Sequence, residues 1–533
     1  MQQVSAVEPF GDVDAARANV FDPDHFVEFV GRRFRAGLGM QSDDGEVRVI
    51  VGGKGAGKTI YLRRLQTGLS RNHSGYVDDW RNRPPATRHV LDVWSWSSSV
   101  RECRQRWSWL WRRAIMRSVI SHLLHVKRLR ARVPDGLATR LRLDFDELVP
   151  KFETRSSIVS QVEAIIQEHH DRDALDAFLH NSRWEALEHH VADALEDAPP
   201  LFFILDALDE EFEIAPSQSL DCQEGLLRQV LDLRANQRFG SRLHVMIGVR
   251  DLVYSTTQQT EHAGRFHRTP GIRALQWNRE AISYFLHAKL NALDADEWML
   301  NPRAKDPVER WLGHQIIRNK RREREEHLED YILRHTRLIP RDVIQMGNAL
   351  CAEIDIAIDS GERELSPRRI RETVARVARE SGTEQLRIVA NHLTADLMPR
   401  EALDHGYAEN YVDLPGSNVP EDVASAFQRA VFERLRQALS DLGEDRFTAK
   451  RLEKIAATIR EVGDVDVLSI MWQHRLLGYV DGRHRLHDPV VFYGPDQDRS
   501  LELPEGKAHY ALHPILIDAV DRLRGVGDVV TQA

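Results

Sequence analysis

Residues 52–59 read Gly-Gly-Lys-Gly-Ala-Gly-Lys-Thr, the spacing G-x-x-x-x-G-K-[ST]. Each residue type there has a task in holding a polyphosphate. The glycines let consecutive backbone N–H groups turn inward around an anion. Lys58 brings a positive charge to the β and γ oxygens, and the Thr59 hydroxyl is suited to ligate Mg²⁺. Glu46 to Val51 reads as a strand running into the loop, and Ile60 to Leu69 as a helix leaving it. The positive N-terminal end of that helix adds to the same anion site. A glycine-rich turn arising by chance would lack that order of strand, loop and helix. The candidate nucleotide-binding residues are therefore Gly52, Gly53, Lys54, Gly55, Ala56, Gly57, Lys58, Thr59 and Ile60.

Binding a nucleotide takes such a loop; hydrolysing it takes one acidic group to hold the metal and another to orient water. Leu201-Phe202-Phe203-Ile204-Leu205-Asp206-Ala207-Leu208-Asp209-Glu210 offers both. Five apolar residues make a buried central strand, and Asp206 emerges at its carboxyl end, where ligands bind in open α/β sheets. Asp206 is the candidate Mg²⁺ carboxylate. Glu210, with Asp209 as the competing candidate, would polarise the attacking water. The plainer alternative, an acidic helix start after an ordinary strand, leaves the glycine loop without a partner. Leu243 to Val249 ends in Arg250-Asp251, which brings a guanidinium to the same sheet edge as a candidate γ-phosphate sensor. Ile339-Pro340-Arg341-Asp342 sets a second arginine just after a helix-starting proline. Arg341 could reach the nucleotide from there. For both arginines, an ordinary surface or aspartate-paired role is the competing reading.

These groups need a scaffold, and 533 residues suffice for about three or four folding units. The balance of 73 Lys+Arg against 82 Asp+Glu, a net charge of −9, and 42% hydrophobic residues exclude intrinsic disorder, collagen and a membrane channel. The opening MQQVSAVEPFGDVD has no signal-peptide pattern, so a cytoplasmic location and no membrane partner are expected. Cys103, Cys222 and Cys351 lie far apart without a CxxC pair and read as packing residues. Strands are expected at Glu46 to Val51, His89 to Trp94, Leu201 to Leu205, Leu243 to Val249 and Ile272 to Gln276, alternating with helical stretches as in a parallel α/β sheet. The boundaries follow: an N-terminal helical segment 1–45, a nucleotide-binding core 46–277 with a helical insertion 95–198, a helical lid 278–360, a helical linker 361–419, and a C-terminal domain 420–533. Leu414-Pro415-Gly416-Ser417-Asn418-Val419-Pro420 marks the last of these.

Two further stretches invite a nucleic-acid reading. In the C-terminal domain Val423, Phe427, Val431, Leu435 and Leu439 recur every four residues; a second helix runs through Leu452, Ile455 and Ile459 after Thr448; a third reaches Leu477, with Gly478 as its stop. Tyr479-Val480-Asp481-Gly482-Arg483-His484 then gives a hairpin signal. Three helices and a hairpin resemble a winged helix, whose third helix would enter a DNA major groove. Residues 464–477 carry Asp464 and Asp466 but only Arg475 as a fixed positive charge, which favours an intramolecular or protein-docking role, although Arg483, His484, Arg485 and His487 could contact phosphates. Residues 101–142 hold twelve Arg/Lys against Glu102 and Asp135, with Trp107, Trp109 and Trp111 among them. A packed helix with solvated or paired arginines is the better reading of that stretch. Among 24 histidines, His122 and His125 are spaced for a metal, but no third ligand is apparent.

Gly52 to Thr59, the Leu-Asp-Ala-Leu-Asp-Glu run at 205–210, Val249-Arg250-Asp251-Leu252, Leu275-Gln276-Trp277 and Ile339-Pro340-Arg341-Asp342 together resemble the bacterial P-loop ATPases of the STAND and AAA+ branch, including families found in defence islands. The resemblance covers roughly residues 45–350. It implies a sheet in the order 5-1-4-3-2, a lid after the fifth strand, ATP with Mg²⁺ as ligand, and a nucleotide-governed switch that often oligomerises. GTP is not indicated: Asn319-Lys320-Arg321-Arg322 lacks the Asp of a guanine-reading element and is expected in a charged helix. A small-molecule kinase would share the loop but seldom needs the remaining features. The expectation is a slow ATPase acting as a switch in bacterial stress or antiphage defence. The alternatives are an ATP-controlled DNA-binding initiator using the C-terminal domain and a nucleotide-binding scaffold with little turnover.

Overall fold

The computed structural model describes residues 8–13, 47–72, 75–78, 84–130, 137, 139, 141, 143, 156–206, 216–258, 271–275, 277–319, 324–362, 364–397, 421–442, 445–460, 466–480, 490–493 and 501–520. Five parallel strands make the first sheet: β1 (Val49–Val51), β2 (Tyr76–Val77), β3 (Leu201–Leu205), β4 (Leu243–Val249) and β5 (Ile272–Ala274), in the order β2-β3-β4-β1-β5. The register sets Val51 against Val249 and Ala274, and Leu205 against Ile247. Because successive side chains point to opposite faces, the residues sort by parity. Val49, Val51, Leu201, Phe203, Leu205, Val245, Ile247 and Val249 join a core with the helices that follow β2. Ile50, Phe202 and Met246 pack on the other face against Tyr61, Leu62 and Leu65 of the helix Lys58–Asn72. Strands buried on both faces read as unbroken apolar runs, which is why β3 and β4 have the expected ends.

Read from the β5 edge, the sheet is 5-1-4-3-2, but the second strand along the chain, at the far edge, is Tyr76–Val77. The expected strand at His89–Trp94 is instead a helix, Thr87–Ser95. Thr87, Val90, Leu91 and Val93 are buried at helical spacing. A run this short does not separate strand from buried helix by pattern alone. Two residues of β2 were too few to register as a strand in the sequence.

Every described element between Val100 and Asp197 is helical: Val100–His125, Lys127–Arg130, Ile158–Glu168, Arg172–Leu179 and Arg183–Asp197. The first is capped by Ser99, whose hydroxyl accepts from Glu102 N at 3.2 Å. Trp107 and Trp111 are fully buried. Arg104 pairs with Asp221 at 2.6 Å, Arg106 with Asp176 at 2.9 Å, Arg112 and Arg113 with Glu188, and Arg117 with Glu168. These arginines are engaged by carboxylates, four of the pairs within the insertion and Arg104 joining it to the helix Pro216–Ala235. His122 is buried, with Nδ1 on Ser118 O at 2.7 Å and Nε2 3.3 Å from Asp78.

Beyond β5 come the lid helices Arg279–Ala292, Ala295–Trp298, Pro307–Leu312, Leu328–Arg334 and Pro340–Asp359. The lid is not wholly helical. Ile316–Asn319 (β6) and Arg324–His327 (β7) form an antiparallel hairpin, Asn319 opposite Arg324, where a charged helix is expected. Glu326 lies in β7 and anchors it, accepting from Asn319 Nδ2 at 2.7 Å and from both terminal nitrogens of Arg334. Phe10, from the N-terminal segment, joins the lid core beside Trp311; residues 1–7 and 14–45 of that segment lie outside the described residues.

The helix Pro367–Leu397 belongs to two cores. Its Ile370, Val374 and Val377 pack in the lid, and its Leu386, Val389, Ala390 and Leu393 pack in the C-terminal domain. That domain has helices Glu421–Leu442, Ala449–Arg460, Val467–Gln473 and Pro514–Ala519 and a sheet in the order β10-β9-β11-β8, from β8 (Arg446–Thr448), β9 (Leu477–Val480), β10 (Val490–Phe492) and β11 (His509–Leu512). The third helix stops at Gln473 rather than near Gly478, which sits inside β9 opposite Phe492. β9 and β10 form an antiparallel pair, but Val480 stands opposite Val490 and not opposite a residue just after Asp481-Gly482, so the tight hairpin expected there is not the pairing that forms. The connection carrying Arg483, His484, Arg485 and His487, and the stretch Leu414 to Pro420, lie outside the described residues. No helix among the described residues is long and apolar enough to cross a membrane.

Candidate functional site

The loop between β1 and the helix beginning at Lys58 turns on Gly55 and Gly57, whose φ values are +85° and +94°. Residues with a side chain rarely adopt this conformation, so the two positions fix the curvature that points the amides inward. Lys58 is buried, and its Nζ donates to Gly52 O at 3.0 Å and Gly53 O at 3.3 Å, which holds the ammonium in the mouth of the loop.

Asp206 leaves the carboxyl end of β3 beside the loop helix. A Cβ built on Gly248 of β4 would stand 3.3 Å from Asp206 Oδ1 and 3.6 Å from Lys58 Cβ. Glycine at 248 thus leaves the space in which the acidic residue and the lysine's backbone approach each other. Thr59 is next to Lys58 on the same helix, as metal ligation with Asp206 requires. Asp209 and Glu210 lie outside the described residues. Among the described residues no group of three or more His, Cys, Asp or Glu is gathered for a metal ion. A loop-bound Mg²⁺ would instead take one carboxylate, one hydroxyl and phosphate oxygens.

The lid meets the loop through Arg341. Its backbone N donates to Gly55 O at 3.3 Å, and a Cβ on Gly55 would come within 2.8 Å of Arg341 Cβ. Arg341 Nε is buried and has no hydrogen-bond partner among the described residues. A buried unpaired guanidinium nitrogen is costly, and a phosphate oxygen would satisfy it. Trp277 adds a second tie, its indole donating to Ala56 O at 2.9 Å. Arg250, at the end of β4, is buried and lines the cavity of about 50 Å³ that begins at Gly53 and Lys54.

The far wall of that cavity belongs to the C-terminal half, and this the sequence did not disclose. Arg337, His474 and Arg475 line it together with Asp251. Arg337 is held by Asp342 through Nε at 3.0 Å and Nη2 at 2.8 Å. Burial opposes ionisation of Asp342, but the Arg337 charge and hydrogen bonds overcome it and keep the carboxyl below its ordinary pKa. His474 Nε2 lies 3.3 Å from His392 Nδ1. Burial, then His392, Arg250, Arg337 and Lys54, push His474 well below the usual imidazole range. The imidazole is thus neutral in a strongly positive enclosure. Among the described residues the non-glycine residues with positive φ are Leu338 and Arg475, at 54° and 60°; Arg475 lines the cavity, and Leu338 lies between Arg337 and Ile339, which line it too.

The site therefore offers amides, Lys54 and Lys58 from the loop, Asp206 from the sheet, and guanidinium groups from β4, the lid and the C-terminal domain. Such an arrangement is chemically suited to a polyanion accompanied by a divalent cation. Comparison of the chain with family models and with curated proteins finds no match.

Proposed function

We propose that this chain is an ATP-binding and slowly hydrolysing molecular switch of the STAND/AAA+ kind, acting in bacterial stress or antiphage defence. The observation that carries the reading is the convergence of Lys58 and Asp206 on one point at Gly248, with Arg250 lining the cavity at Gly53 and Lys54 and Arg341 packed on Gly55. Loop amides and Lys58 hold the β- and γ-phosphates. Thr59 and Asp206 would hold Mg²⁺, which supplies charge neutralisation at the phosphate oxygens when bound. Glu210, or Asp209 in its place, takes the proton of the water whose oxygen bonds to the γ-phosphorus as the bond to the β–γ bridging oxygen breaks. Arg250 and Arg341 distinguish ATP from ADP by meeting the γ-phosphate, and differential contact of that kind is what a switch requires.

Two structural links support transmission. Asp251, Leu252 and Ser255 on the helix Asp251–Gln258, directly after Arg250, meet the C-terminal domain: Asp251 bonds Arg475, Leu252 lies in that domain's core, and Ser255 bonds the Tyr493 hydroxyl. The helix Pro216–Ala235, which follows the Asp206–Glu210 stretch, is tied to the insertion by Arg104 on Asp221, by Trp111 Nε1 on Cys222 O at 3.0 Å and by Gln229 on Ser108 at 2.6 Å.

Steady-state turnover separates the readings. Lys58→Ala should abolish nucleotide affinity, whereas Glu210→Gln should bind ATP and lose turnover. Unchanged turnover in Glu210→Gln removes that residue from its role and makes Asp209→Asn the next variant to assay. Turnover stimulated by double-stranded DNA would favour the initiator alternative over the switch.

A further inference from the structure

We infer that Arg475, supplied by the C-terminal domain, is a phosphate-positioning residue of the nucleotide site, and that Asp251 competes with the nucleotide for its guanidinium. The inference rests on the nucleotide reading of the loop.

The backbone gives the first reason. After the helix Val467–Gln473, Arg475 N donates to Trp472 O at 2.8 Å and Leu476 N to Met471 O at 2.9 Å, with Arg475 at φ 60°. Helices commonly end on a left-handed residue, but glycine or asparagine ordinarily fills it. A long β-substituted residue carries a steric cost there and gains nothing from the turn itself. The reason for an arginine must lie at the far end of its side chain.

That end reaches the loop. Arg475 Nη2 lies 4.0 Å from the position of a Cβ on Gly53, and it donates to Asp251 Oδ2 at 3.1 Å. Asp251 Oδ2 itself stands 3.3 Å from the same Gly53 position. The carboxylate and the guanidinium thus meet at the second glycine of a phosphate loop, where a bound polyphosphate would put its own oxygens. A guanidinium has five N–H donors in a planar fork suited to phosphate, and the one hydrogen bond Arg475 makes through its side chain among the described residues is to Asp251. Lys54, Arg250 and Arg337, the last held by Asp342, line the same cavity as Arg475 and Asp251. Exchange of Asp251 for a phosphate would leave Arg475 over the loop and make docking of its domain depend on nucleotide, with equal and reciprocal coupling.

The test is calorimetric titration of the full chain with ATP and with ADP at saturating magnesium, in the parent, Lys58→Ala, Arg475→Gly, Arg475→Lys and Asp251→Asn proteins. Glycine suits the left-handed backbone, so Arg475→Gly removes the side chain without straining the turn. The expected result is a loss of affinity of tenfold or more in Arg475→Gly, partial recovery in Arg475→Lys, and severalfold tighter binding in Asp251→Asn. A structural clamp predicts otherwise. If Arg475→Gly and Asp251→Asn lower the melting temperature alike and leave the dissociation constants unchanged, or weaken binding alike, the inference is overturned. A parent protein that binds no nucleotide overturns the underlying reading, and the Lys58→Ala control tells the two failures apart.

Discussion

Gly55 shows how much of the site depends on single residues. Its φ of +85° would cost a residue with a side chain ~1–2 kcal/mol, and any Cβ there would press on Arg341 Cβ at 2.8 Å, an atom fixed to a helix start. Gly55→Ala should therefore destabilise the chain by at least that amount in urea melts and separate the lid from the loop. An unchanged midpoint would mean that the contact is pliable. The loop, Asp206, Arg250 and Arg341 were all legible in the sequence, because each sits at a strand end or beside a helix-starting proline, where order along the chain implies place in the fold. Arg475 was not. Its position depends on a left-handed turn and a docking contact that no local spacing encodes. Glu210 and Asp209 remain sequence-based candidates, tested by turnover alone.

At the scale of elements, burial decided between patterns that the sequence left ambiguous. β3 and β4 are apolar on both faces and fall where expected; His89–Trp94 became a helix because its apolar residues satisfy a helical face equally well. The Glu326 anchor of the β6–β7 hairpin depends on Asn319 and Arg334, a pairing invisible in a run of charges. The helix Pro514–Ala519 makes a sharper prediction. His513 caps it, Nδ1 accepting from Ile515 N at 3.3 Å, and burial, then Arg337, lowers its pKa to about 3. The unfolded chain, titrating near 6.5, binds the proton first, so this residue's contribution is complete above about pH 6.5 and is lost as pH falls toward 3. His244, lowered to about 3 by burial and then by Arg48, has the same sign. Asp221, raised to about 6 chiefly by burial, has the opposite sign, its contribution growing as pH falls from 6. Comparing parent with His513→Asn cancels both: the variant keeps an acceptor cap without titrating and should lose less stability between pH 7 and 5 in urea melts. Equal losses would show that the cap is not the acid-sensitive element.

For the whole molecule, the helix Asp251–Gln258 joins the end of β4 to the C-terminal domain, while Pro367–Leu397 joins that domain to the lid. Together they close a circuit around the loop, so a change at Arg250 has a packed route outward. Removing the Ser255 hydroxyl breaks one link without touching the loop. Ser255→Ala should leave ATP affinity within about threefold of the parent, a change of under ~1 kcal/mol, yet reduce the ATP-dependent hydrogen-exchange protection of β9 and β10. Full protection in that variant would place the route elsewhere. Composition and motif order led to an expectation of separate units but gave no sign of these contacts between them, because contacts between distant segments leave no periodic trace.

The proposed function requires a magnesium-bound triphosphate seated between the glycine loop and Asp206. Titrating ATP at saturating magnesium into the full chain measures this directly. Saturable heat with one site per chain, absent in Lys58→Ala, is the expected outcome; no binding heat in the parent, from ATP or from a non-hydrolysable analogue, would refute a nucleotide site at the loop.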